Sequence, residues 1–479
     1  MTSLYTPDTL ICKMREMIFP IFDEATKPTA QHLFDMMLSV FGLNGFQSVK
    51  YNYEHFINEI SEYELNSCYY TLNESKLSLD DWMKHLLEVG LSLVSPTVNL
   101  PVILAIDDTL IEKYGEMFEN WGKLFDHAAH NGSNYLNGHC FVSLLLCVPV
   151  CDESGCRYVS FPVAYRMWTK EKTKLEMAAE LVQAAMKTLG TQRQVVLCLD
   201  SWYPKGCVKN LIEEYPNLTM ICNVRKDTAL YELPPEKTGK KGRPRVRGER
   251  LSLEDLSLKE VPENGLSVGF RPVKTKLFGR RTVYALVSKS TKGDSYRLFI
   301  ATKDPKELNI DLSFFDERSA AFAKTDADFA PLTFYAQRWN IETSYYEQKT
   351  FWALGDYRLR SQEGIERLVN LLTICYALAK LLPYLSEDFA PLKGLSAQQI
   401  RFVLGRHIRQ EVFFAYFVDR LENAKISPAV LTLTLTRVYN RKRSGKADNQ
   451  GLTRNLHNFL KILNFLLQFK KRCGMMIEL

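Results

Sequence analysis

The sequence has no apolar run of the roughly 18 residues that a membrane span requires; the longest candidate, around Leu371 to Ala379, is stopped by Lys380. The amino terminus lacks a basic segment followed by a hydrophobic core, so no signal peptide is expected. Gly-x-Ser-x-Gly, Walker and dinucleotide-binding glycine loops are all missing, which removes the serine hydrolase and nucleotide-binding readings. No internal repeat is present. The 11 cysteines are odd in number and scattered, with Cys147, Cys198, Cys222 and Cys375 inside apolar runs, so reduced core thiols of a cytosolic protein are expected. Cys147, Cys151 and Cys156, with His127, His130 and His139 nearby, match no zinc spacing. The stretch Asp152-Glu-Ser-Gly155 between them reads as a hairpin turn joining two strands.

What is present suits packed cores. The chain has 479 residues, 46% of them hydrophobic and 12% aromatic, enough for two to four domains. The net charge of +6 matters less than its distribution. Seven basic residues and one acid lie between Lys237 and Arg250, and five basic residues and no acid between Arg437 and Lys446. Such runs are solvated loops or phosphate-backbone contacts. In the first run Lys240, Lys241, Arg243 and Arg245 surround a Gly-Arg-Pro core that resembles an AT-hook.

Residues 1–95 read as helical, with amphipathic stretches at Ala30 to Phe41, Tyr53 to Tyr63 and Leu79 to Val89. Residues 96–226 read as strand, strand, strand, helix, strand, helix, strand, the strands near Val102 to Ile106, Cys140 to Val150, Arg157 to Tyr165, Val195 to Leu199 and Leu218 to Val224. That order predicts an α/β fold with a mixed five-stranded sheet covered by helices on both faces. Residues 227–325 carry strand-like runs at Leu266 to Phe270, Arg281 to Ser288 and Tyr296 to Thr302, a β-rich insertion with a basic loop. Residues 326–385 and 386–479 are again helical, with Ile365 to Leu382, Ala397 to Leu404 and Leu456 to Phe469 the clearest stretches.

The most informative spacing is Tyr335, Arg338, Glu342 and Lys349. At roughly 100° per residue the other three fall within about 60° of Tyr335, so a single helix face carries a phenol, a guanidinium, a carboxylate and an ammonium. A carboxylate suits a hard cation, and Arg and Lys suit phosphate oxygens. A solvated helix with an Arg338–Glu342 pair presents the same face. Two upstream segments repeat another device, a short apolar run ending in acid: Pro101-Val-Ile-Leu-Ala-Ile-Asp107-Asp108-Thr109 and Gln194-Val-Val-Leu-Cys-Leu-Asp200-Ser201. Each reads as a buried strand delivering a carboxylate at its end.

The pattern Tyr, two residues, Arg, three residues, Glu, six residues, Lys resembles the signature of the insertion-sequence-four group of DDE transposases, and all four positions match. The resemblance implies an RNase H-like core in which the first and fourth strands are adjacent. It assigns Asp108, Asp200 and Glu342 as catalytic and metal-holding carboxylates, with Asp107 the fallback for the first. Two Mg²⁺ or Mn²⁺ ions are implied, as are Tyr335, Arg338 and Lys349 gripping phosphates beside the cleaved bond. The expected activity is cut-and-paste transposition: water frees a 3′-hydroxyl at the element end, which then attacks target DNA. Partners would be terminal inverted repeats, target DNA and a second copy of the chain in the synaptic complex, in a prokaryotic cytosol without a membrane. The helical amino-terminal region takes the place of a DNA-end recognition module. Members that excise through a DNA hairpin need an aromatic residue to unstack a base; with no Trp between Trp202 and Trp339, Phe278, Tyr296 or Phe299 would serve. The alternatives are a plain RNase H-like nuclease and a domesticated, non-catalytic DNA-binding protein.

Overall fold

Val102–Ile106, Val195–Leu199 and Leu218–Ile221 are buried throughout, as continuous apolar runs must be when helices cover both faces of a parallel sheet. The computed structural model describes residues 9–43, 45–126, 134–153, 155–235 and 245–423, with side chains up to Phe413. The described residues up to Ala415 fall in one compact unit, and those from Tyr416 in a second.

The chain opens with helices α1 (Leu10–Ile18), α2 (Lys27–Gly42), α3 (Val49–Asn52), α4 (Asn58–Ile60), α5 (Leu65–Asn73) and α6 (Leu79–Ser92). A π-turn at Tyr53–Ile57 joins α3 to α4, so the single helix expected from Tyr53 to Tyr63 is interrupted and ends early. Side-chain caps start several of these helices, as Thr26 does for α2 and Ser78 for α6.

Strands β1 (Val102–Glu112), β2 (Gly122–Phe125), β3 (Tyr135–Asp152) and β4 (Gly155–Met167) follow. Helix α7 (Lys174–Leu189) begins with a Thr173–Glu176 capping box and stops at Gly190, whose φ of 70° needs glycine. Then come β5 (Val195–Leu199), α8 (Gly206–Glu214), β6 (Leu218–Val224), β7 (Leu230–Tyr231), β8 (Arg250–Leu251), β9 (Lys259–Val261), β10 (Leu266–Thr275), β11 (Val283–Ser290) and β12 (Tyr296–Ala301). Helices α9 (Glu317–Thr325), α10 (Ala330–Ala336), α11 (Trp339–Phe351), α12 (Gln362–Leu385) and α13 (Ala397–Asn423) complete the described chain.

The sheet order is β2-β3-β1-β5-β6-β12-β11-β10-β7-β8, with β4 on β3 and β9 on β10. Among the described residues only β1, β5 and β6 pair in parallel. The fold is therefore mixed α/β, and the expected adjacency of the first and fourth strands is present as β1 beside β5. The strands expected as an insertion extend this same sheet. β12 pairs antiparallel with β6 from Ile221 to Val224, covering what would be an open edge.

Three further differences have local causes. β4 carries a bulge opposite Leu144/Leu145, where Pro162 lacks an N–H for the ladder. Cys151 and Cys156 form a disulfide across the β3–β4 hairpin, so these two are not the reduced thiols expected; the eight other described cysteines are free. α12 is long and apolar enough to cross a membrane, although 83% of its apolar window is buried inside the protein. The helix expected at Leu456 to Phe469 and the basic run from Arg437 lie outside the described residues.

Candidate active site

β1 outruns its parallel neighbour. Its pairing with β5 ends at Ile106↔Leu199, whereas its antiparallel pairing with β3 continues to Glu112↔Gly138. Asp107 and Asp108 therefore sit within the strand, at the level where β5 stops and Asp200 begins, and not at a strand end as the apolar run suggested. Consecutive strand residues project to opposite faces, and these two acids have separate partners. Asp107 accepts from Arg338 Nη1 at 2.9 Å, while Arg338 Nη2 reaches Glu342 Oε1 at 3.2 Å. Asp108 takes Lys174 Nζ at 2.6 Å and the Tyr203 hydroxyl at 3.0 Å, with Cys140 Sγ donating at 3.4 Å.

Tyr335 lies on α10, and Glu342 and Lys349 on α11; the expected single helix tightens to i→i+3 bonding around Gln337 and Arg338 before continuing. α11 buries a polar rear face. Gln348 Nε2 donates to the Tyr165 hydroxyl at 2.8 Å and to Ser344 Oγ at 2.8 Å, and Thr373 Oγ1 of α12 donates to Gln348 Oε1 at 3.3 Å. This network turns Glu342 and Lys349 towards β1, where Lys349 Nζ donates to the Leu110 carbonyl at 2.8 Å.

The electrostatics follow the same grouping. Burial pushes the Asp107 carboxyl above the ordinary range, the Asp200 and Glu342 charges push it further, and Arg338 opposes them. Asp200 is raised by burial, with the Trp202 N–H at 2.9 Å and Arg338 pulling it down and the Asp108 charge adding to the rise. Burial works against the Arg338 charge, but Tyr335, Asp107 and Glu342 outweigh it and its pKa is raised. Burial lowers that of Lys349. Tyr335 is raised by burial and packs its ring edge-on against Phe299, 4.9 Å between centroids.

The donor set facing Arg338 is all carboxylate oxygen, the chemistry of a hard divalent cation. Two of its members, from different elements, already share one positive centre in the guanidinium. Among the described residues no three His, Cys, Asp or Glu side chains close into a ligand shell, and Arg338 bridges Asp107 and Glu342. The residues fit a metal in kind and in charge, provided Arg338 gives way.

A cleft of about 850 Å³ opens beside Asp200 and Arg338. Its walls include Arg225, Lys226, Arg297 and Arg318, cations that sequence reading missed because they are scattered over the turn after β6, β12 and α9. Tyr296 and the largely buried Phe299 line it, whereas Phe278 is buried and does not. Trp339 lies on its rim, 67% exposed. Alternation along β12 and β6 is the sequence signal that could have grouped some of these residues, had the pairing of the two strands been known. Lys240, Lys241, Arg243, His127 and His130 lie outside the described residues; Arg245 is exposed just before β8. His139 is held by the Tyr357 hydroxyl at 2.7 Å and the Glu119 carbonyl at 2.9 Å.

Residues 61–271 match the family model described as DDE superfamily endonuclease. The match covers less than half of the chain; it takes in Asp107, Asp108 and Asp200 and ends before Glu342. It supports a DDE-type, transposase-like nuclease, from a family that acts on DNA and generally uses divalent metal ions. No curated protein matches the chain.

Proposed function

We propose, from a DDE-type nuclease domain as the premise, that this protein is a DNA transposase of the insertion-sequence-four kind, excising and inserting its element by 3′-hydroxyl strand transfer. The observation that carries the reading is the meeting of β1, the end of β5 and α11 at one point, where Asp107, Asp200 and Glu342 face Arg338. Parallel pairing of β1 with β5 and the helix bearing Glu342 support an RNase H-like core. Two Mg²⁺ or Mn²⁺ ions held by these carboxylates would supply an activated oxygen nucleophile and neutralise charge on the leaving oxygen.

The chain's own residues do the rest. Arg225, Lys226, Arg297 and Arg318 draw the phosphate backbone into the cleft, and Tyr335, Arg338 and Lys349 hold the phosphate beside the scissile bond. Tyr296 and Trp339 offer aromatic faces to an end base displaced from its stack. Asp107 replaces Asp108 in this proposal because Asp108 is engaged on the opposite face by Lys174 and Tyr203. The helices before β1 serve as the DNA-end module and a second copy joins in the synaptic complex.

The test uses purified protein, Mg²⁺ and the ends of its own element. Asp107→Asn, Asp200→Asn and Glu342→Gln should abolish strand cleavage while leaving end binding intact in gel shifts. Asp108→Asn should retain cleavage. A cleaving Asp107→Asn beside a dead Asp108→Asn returns the first carboxylate to Asp108, and normal cleavage by Glu342→Gln ends the transposase reading.

A further inference from the structure

We infer that Arg338 is a phosphate-released counter-ion: without DNA it occupies the carboxylate site in competition with the divalent ion, and a DNA phosphate draws it aside, so metal and DNA bind cooperatively. The inference rests on Asp107, Asp200 and Glu342 being the metal-holding set. Arg338 donates from two nitrogens of one fork to carboxylates of two elements, 2.9 Å to Asp107 and 3.2 Å to Glu342. Its side chain is only 12% exposed, and that of Asp107 15%. A guanidinium is planar and permanently charged, and so well suited to bridging two carboxylates. In that position it repels an incoming dication and uses the oxygens the ion needs.

The same side chain also lines the cleft whose other cations, Arg225, Lys226, Arg297 and Arg318, would gather phosphates. A phosphate seated among them offers Arg338 a second bidentate acceptor within the cleft that Asp200 also lines. Moving the guanidinium from carboxylate to phosphate would exchange one charge-assisted pair for another, and leave the carboxylates bare for the ion. Coupling of this kind is reciprocal, so the factor by which DNA tightens metal binding equals the factor by which metal tightens DNA binding. A free chain would then be a poor nuclease, and a loaded one competent.

The experiment measures Mn²⁺ affinity of the full-length protein by electron paramagnetic resonance, with and without a random-sequence duplex. Without DNA, Arg338→Gln should bind Mn²⁺ at least tenfold more tightly than wild type. The duplex should tighten wild-type binding by a similar factor and leave that of Arg338→Gln unchanged. Arg338→Lys keeps the charge but cannot bridge both carboxylates; it should fall between the two and serves if the Gln variant fails to fold by circular dichroism. Equal or weaker Mn²⁺ binding by folded Arg338→Gln, or by Arg338→Lys in its place, overturns the inference, as does a duplex without effect on wild type. Asp107→Asn and Glu342→Gln separate the two levels: each should lose Mn²⁺ affinity, and if neither does, the assignment of the metal-holding carboxylates fails and takes the inference with it.

Discussion

Replacing Asp35 by Asn should reverse the sign of its effect on stability between acid and alkaline pH. Asp35 lies on α2 and is 3% exposed. Gln31 Nε2 donates to it at 2.7 Å and the Tyr63 hydroxyl at 3.1 Å. The nearest cation, Arg15, is engaged with Gln31 Oε1 at 2.8 Å and acts on Asp35 only through space. The other titratable neighbour, Cys68 of α5, is itself pushed up by burial and by Asp35. Burial dominates over both hydrogen bonds and Arg15, so the carboxyl is pushed from 3.8 to about 7. For an acid this means that the folded state holds the proton more tightly than the unfolded state. Stability therefore falls as pH rises from 3.8 through 7. Ionising the group in the folded state costs about 4 kcal/mol at about 1.4 kcal/mol per pH unit. Asn cannot ionise, but it gives up one of two accepted hydrogen bonds, about 1 kcal/mol. Asp35→Asn should thus be about 3 kcal/mol more stable than wild type near pH 8.5 and about 1 kcal/mol less stable near pH 3, below the ordinary value of 3.8. Urea unfolding of both proteins at the two pH values, followed by far-ultraviolet circular dichroism, reads the difference directly. Parallel pH profiles would refute the reasoning, since they would mean that Asp35 carries no folded-state penalty.

Gly138→Ala should destabilise the protein by about 3 kcal/mol in the same assay, because its Cβ would sit 2.0 Å from the Ile111 carbonyl oxygen, a backbone atom of the strand bearing both acids; a wild-type melting curve would show that β1 and β3 can separate there at little cost. Neutralising Arg297 and Arg318 should lower the slope of log affinity against log salt for duplex DNA by about one per lost phosphate contact, and an unchanged slope would remove the cleft from the DNA path. Lys174→Met should leave cleavage chemistry in place while lowering the melting temperature, because it strips Asp108 of its half-buried ion pair; complete loss of cleavage would place that pair in the active machinery. Removing the Cys151–Cys156 disulfide by serine substitution should cost less than about 2 kcal/mol, since it closes a short loop that the β3–β4 ladder already holds; a larger loss of stability in denaturant melts would assign the bond a wider role.

Local chemistry determined the elements. Apolar runs flanked by polar residues were enough to locate β1, β5, β6, α7 and α8, because a stretch such as Val195–Leu199 has no way to satisfy both its side chains and its backbone except as a covered strand. The spacing from Tyr335 to Lys349 brought the guanidinium, the carboxylate and the ammonium to one side because helical geometry is set by residue count alone. Tertiary structure decided what depends on partners. The apolar run alone did not separate Asp107 from Asp108, and the resemblance assigned Asp108; only tertiary structure shows that Asp107 meets Arg338 while Asp108 meets Lys174 of α7. Nor could the sequence bring Arg225 and Arg297 together, because the β6–β12 pairing that does so links segments distant in the chain. Of the strands after β6, the short β7, β8 and β9 were not read, and β10, β11 and β12 were read but assigned to a module of their own, because a strand's pattern records which faces are buried and says nothing about which edge it will pair with.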